Sequence, residues 1–112
     1  MTSHVCVVLA NEPRAYRDTL SVAIRLLRPE AEVIVTDPET LDDMVMSHAP
    51  RVVICSRLTT VVETLVESWM VLYPEGDETA LQHVAGERKR IHGIDLAGIA
   101  RLIDQAKCPR RA

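Results

Sequence analysis

Apolar residues fall in short β-branched runs separated by longer segments in which they recur every three or four positions, the alternation of strands and amphipathic helices. His4 to Ala10 (HVCVVLA) is apolar at nearly every position, as a strand covered on both faces of a parallel sheet must be. Polar Asn11 and Glu12 stop it. Either can cap a helix whose first turn tolerates Pro13, because a missing N–H costs nothing there. Tyr16, Leu20, Ala23, Ile24 and Leu27 make one stripe on that helix, which should stop at Arg28, before Pro29. Glu32 to Thr36 (EVIVT) predicts a second strand, and Thr40 with Asp43 reads as the capping box of a short helix through His48, with Leu41, Met44 and Val45 inward. Arg51 to Cys55 (RVVIC) predicts a third strand. Thr60-x-x-Glu63 is a second capping box, opening a helix with Val61, Leu65 and Val66 on its inner side.

The last third breaks this rhythm. Trp69 to Tyr73 (WMVLY) reads as a fourth strand, but only Pro74 to Thr79 separates it from a strand-like run at Ala80 to Ala85, so no crossover helix fits and a hairpin is expected. Gly86-Glu87 turns the chain again into Arg88 to His92. Asp95 is placed to cap a terminal helix with Leu96, Ile99, Leu102, Ile103 and Ala106 on one face, followed by a frayed basic tail over residues 107–112. Strands separated by single helices run parallel through right-handed crossovers, so the pattern predicts an α/β three-layer sandwich, with an antiparallel C-terminal hairpin where a helix would otherwise follow the fourth strand.

Composition narrows the function more than the fold. A chain of 112 residues, 47% apolar and 26% charged, is one domain able to bury a core. Its formal net charge of -3 gives no support to a nucleic-acid partner held through phosphates, and no recognition helix or stacking platform is visible. Three cysteines without a C-x-x-C pair match neither a disulfide framework nor a zinc site, and His4, His48, His83 and His92 lack metal-ligand spacing, so no metal is expected. No apolar stretch approaches the roughly 20 residues of a membrane span, and Met1 to His4 lacks a basic leader. The expectation is a cytoplasmic protein without membrane contact. With no Phe at all, Tyr16, Trp69 and Tyr73 stand out.

Two stretches carry a family resemblance: Val7-Val8-Leu9-Ala10-Asn11-Glu12-Pro13, with Arg17, Asp18 and Leu20 after it, and Ala49-Pro50-Arg51-Val52-Val53-Ile54-Cys55-Ser56. Over residues 4–67 the chain resembles a bacterial response-regulator receiver domain, in which a strand runs through an acidic pair and Glu-Pro into helix 1, and strand 3 ends on the phosphoacceptor Asp. The resemblance implies a flavodoxin-like sheet with parallel strands in the order 2-1-3-4. It also implies that the chemistry is gone: the acceptor falls at Ser56, or at Cys55 if the register slips by one, and the acidic pair falls at Ala10 and Asn11. A Mg²⁺ site needs several hard oxygen ligands, and Glu12 alone remains. A neutral Ser56 is a poor substitute for a carboxylate nucleophile.

The chain is therefore expected to be a pseudo-receiver: no enzyme, no catalytic residues, no cofactor, acting through contact with another protein in signalling or regulation. Two regions compete as its working surface. Trp69, Met70 and Tyr73 are either core or interface, and an uncovered face on the added hairpin, exposing Met70, Leu72 and Leu81, would be closed most simply by a homodimer. Arg88, Lys89 and Arg90 look like charges that guard the sheet edge. The alternative is a small-molecule or anion site at the carboxyl edge of the sheet, built from Asn11, Glu12, Arg14, Ser56, Arg57 and Thr59.

Overall fold

In a computed structural model the described residues are 5–72, 79–84 and 86–107. Six strands, β1 (Cys6–Ala10), β2 (Glu32–Val35), β3 (Val52–Cys55), β4 (Ser68–Leu72), β5 (Thr79–Val84) and β6 (Glu87–His92), form one mixed sheet in the order β2-β1-β3-β4-β5-β6. The pairs β1–β2, β1–β3 and β3–β4 are parallel, and β4–β5 and β5–β6 antiparallel. This is the α/β architecture the alternation implied, with the hairpin in the expected place.

Four helices, α1 (Arg14–Leu27), α2 (Leu41–His48), α3 (Thr60–Leu65) and α4 (Leu96–Lys107), divide between the two faces of the sheet. The strands' alternation sorts the core accordingly. Val7, Leu9, Val52, Ile54, Met70 and Leu72 meet Leu20 and Ile24 of α1 and Ile99, Leu102 and Ile103 of α4. On the opposite face Val8, Val53, Cys55, Trp69 and Val71 meet Leu41 and Val45 of α2 and Val62 of α3. Because α1 covers one face and α2 and α3 the other, the chain leaves β1 and β3 in opposite directions, and a crevice opens between these strands at their carboxyl ends.

Local signals decide the helix ends, not always as the sequence suggested. Pro13 is itself the N-cap of α1, so neither Asn11 nor Glu12 caps it; the Glu12–Pro13 peptide is cis. A 3-10 turn, Pro38–Thr40, precedes α2 and takes the place of the expected Thr40 capping box. The cap of α3 is Thr59, whose Oγ1 accepts the Val62 N–H at 3.1 Å, so the cap sits one residue before the expected Thr60. Asp95 does cap α4, its Oδ1 accepting from Gly98 N–H at 2.9 Å. A helix stops at α2's end on Ala49, held at φ 46°, ahead of Pro50. Leu27 and Leu65, expected inward, are exposed: α1 turns its last residue outward as Arg28 folds onto α4, and in α3, six residues long, Val62 and Val66 take the inner side.

The terminal helix is the largest departure from the expected surface. Arg28 grips Asp104 with two hydrogen bonds of 2.6 Å, and Arg51 donates to the Ala106 carbonyl at 3.1 Å, so two arginines at the amino edge of the parallel strands hold the last turns of α4 against the sheet. Held there, α4 covers Met70 and Leu72, which are fully buried. Leu81 is half-buried against the opposite cluster. The apolar face that called for a second copy is closed within the single chain.

Candidate functional site

At the carboxyl edge Ala10 of β1 lies beside Cys55 of β3, and the loops that follow them approach each other. The Glu12 N–H donates to Ser56 Oγ at 2.7 Å, a direct latch between the β1–α1 and β3–α3 loops. Thr59 Oγ1, besides capping α3, donates to Asp42 Oδ1 at 2.7 Å and so ties that loop to the start of α2. Between them is a cavity of about 200 Å³ whose walls include Glu12, Ser56, Arg57 and Thr59, four of the six residues proposed from sequence.

The other two lie elsewhere. Asn11 is fully buried beneath the loop, and neither atom of its side-chain amide has a hydrogen-bond partner. Arg14 faces away, toward a separate cavity of about 260 Å³ shared with Arg17, Asp18 and Asp37. Two participants were not foreseen. Glu39, from the 3-10 turn, lines the crevice, so two carboxylates face one guanidinium there and the expected balance in favour of an anion is absent. Arg17 is buried to 3% exposure, with one terminal nitrogen toward the Asn11 carbonyl at 3.4 Å and the other on Asp37 Oδ1 at 3.0 Å; it clamps the end of β1 to the segment after β2. The sequence hint was an Arg at the stripe position Arg17, in step with Leu20 and Ile24, where a long side chain reaches beyond its own helix.

Cys55 closes the floor of the crevice. Burial pushes its thiol up to about 12, against a small lowering from the Arg57 backbone, so it remains protonated and unreactive near neutral pH. Cys6 is also raised, by burial and by the Glu32 carboxylate. Among the described residues no group of three His, Cys, Asp or Glu side chains is placed to hold a metal ion, and no helix is long and apolar enough to cross a membrane.

The second region is the antiparallel end of the sheet. Trp69 and Met70, offered from sequence as interface residues, are both fully buried and have no surface to give a partner; Tyr73 lies outside the described residues. Beyond its apolar neighbours, Trp69 is covered by polar side chains. His83, its partner across β4–β5, stacks on the indole with ring centroids 5.5 Å apart and planes 13° from parallel. Arg88, opposite His83 on β6, sets its guanidinium 5.1 Å from the indole centroid and pairs with Glu63 of α3. The His83 Nδ1 proton is donated to the Glu67 carbonyl at 2.9 Å. A ladder Trp69–His83–Arg88 thus crosses three strands and is anchored to α3, and of its members His83 and Arg88 touch solvent while Trp69 does not. No protein-family model, curated protein or solved structure matches this chain.

Proposed function

We propose that the chain is a non-enzymatic pseudo-receiver module that is not phosphorylated and works through contact with another protein, in signalling or regulation, by way of the rebuilt β4–β6 end of its sheet. The observation that carries this is the latch at the acceptor position. A receiver's switch depends on a carboxylate there that reacts and a metal that bridges the neighbouring loops; here Ser56 offers a neutral hydroxyl that already accepts the Glu12 N–H, and the loops meet without a bridge. A hydroxyl already engaged in a loop-to-loop hydrogen bond suits a constitutive binding module better than a switch. The hairpin points the same way, since it takes the place of the helix through which a receiver would signal and presents a polar, extended surface instead.

Incubation with acetyl phosphate and Mg²⁺, followed by intact-mass spectrometry, tests the chemistry. The expected result is an unmodified mass, and a stoichiometric phosphate adduct at Ser56 overturns the reading. Affinity capture with the wild-type chain and with a variant carrying Lys89→Glu and Arg90→Glu tests the contact: a partner retained by the first and lost from the second supports it.

A further inference from the structure

We infer that the outer edge of β6, the last strand among the described residues, is a docking strand for an extended, acidic segment of a partner protein, added to the sheet as a seventh strand. The inference rests on the contact reading above and gives that contact a geometry and a chemistry.

The hairpin contributes little to the core. All four residues of β3 and all five of β4 are buried, whereas Ala80 alone is buried in β5, and β6 is exposed throughout except for half-buried Ile91. Core packing therefore does not account for a six-residue outer strand. The two ends of the sheet are also finished differently. At the β2 end the strand is four residues long, and the Arg25 guanidinium reaches over to donate to the Val33 carbonyl at 3.0 Å, occupying an acceptor that another chain would need. At the other end β6 pairs with β5, and among the described residues no strand lies beyond it. An edge strand of this length presents alternate backbone N–H and C=O groups as a template for strand addition.

Charge selects the occupant. In a chain of net charge -3, three consecutive cations, Arg88, Lys89 and Arg90, stand on this one strand beside a single carboxylate, Glu87; the pairs Lys89–Glu87 and Arg88–Glu63 are solvent-exposed and weak, so an incoming strand can compete for them. Antiparallel pairing of β6 with its own copy sets Arg88 against Arg90, or Arg90 against itself, and like charges directly opposite are destabilising. A strand bearing carboxylates converts each of those repulsions into attraction. The same residues that exclude a second copy thus favour an acidic segment, which is how a specific edge differs from a merely guarded one. The site also has its own reporter, because Arg88 lies over the chain's single tryptophan.

The test titrates the full chain with a capped hexapeptide alternating glutamate and valine, with a lysine–valine counterpart, and with the acidic peptide interrupted by proline. The acidic peptide should change Trp69 emission and slow amide exchange along β6, and the other two should do neither. Lys89→Glu with Arg90→Glu should weaken the acidic peptide by about tenfold or more while leaving the melting temperature within a few degrees. Equal binding of acidic and basic peptides, protection at the carboxyl-edge crevice instead of β6, no protection at millimolar peptide, or a homodimer abolished by the same charge reversal would each overturn it. Failure here with no phosphate adduct at Ser56 removes the docking strand and leaves the pseudo-receiver reading standing, whereas an adduct removes that reading first.

Discussion

Every residue of β3 and β4 is buried, while β6, two strands away in the same sheet, is exposed along nearly its whole length. The parallel half is closed on both faces by helices, and its strands are correspondingly apolar apart from Glu32 and Ser68, the first residues of β2 and β4. The antiparallel half is covered by α4 on one face and by polar stacking of His83 and Arg88 on the other. The difference teaches where the two kinds of stability come from: dry packing in the first, cross-strand pairing and half-solvated charge in the second. It also separates what evolution can alter cheaply. A change inside β3 disturbs both clusters, whereas on β6 only Arg88, over Trp69, and half-buried Ile91 reach toward the core.

The contrast can be broken most forcefully by truncation in each half. Ile54→Ala, at a site with no exposed surface, should cost about 2–5 kcal/mol in urea unfolding. Leu81→Ala, at a half-buried site, should cost less than half as much; equal costs would show the hairpin to be as integral as the centre. Next comes thiol reactivity. With its pKa raised from 9.0 to about 12, Cys55 should expose roughly a thousandth of the thiolate of an unfolded chain at pH 8, and mass-spectrometric alkylation should show that protection. The sign for stability follows from proton binding. Below pH 9 both states hold the proton, so the contribution is complete; between pH 9 and about 12 the unfolded state releases it while the native state does not, and stability falls as pH rises. Cys55→Ala should flatten that slope.

A smaller effect distinguishes the two candidate caps. Thr59→Ala removes the acceptor for Val62 N–H and the donor to Asp42, and should cost about 1 kcal/mol, whereas Thr60→Ala should change stability by only a few tenths. The smallest concerns the hairpin. Glu63→Gln loosens Arg88 above the indole, and for a pair roughly half exposed on both sides the cost should be about 0.2–1 kcal/mol, with a clear change in Trp69 emission. A large loss of stability there would mean that the polar cover of Trp69 bears more of the fold than its exposure suggests.

Period-two and period-3.6 patterns, with turn residues between them, were enough to read the six strands, the four helices and the parallel-to-antiparallel change from the chain, because backbone periodicity is a local property and crossover handedness leaves few ways to connect the pieces. The Asp95 cap was legible for the same reason: donor and acceptor are three residues apart. What tertiary structure decided was which apolar face is covered and which charges meet. Nothing near Trp69 or Met70 in sequence says that α4 will cover one and that His83 and Arg88 will cover the other. Arg17 finds Asp37 twenty residues on, Glu39 enters a crevice whose other wall comes from β3, Arg88 finds Glu63 across twenty-five residues, and Arg25 reaches over one sheet edge to the Val33 carbonyl. Long side chains reach partners that local spacing does not encode, so the identity of the surface residues, and with it the choice between core and contact, belongs to the assembled fold.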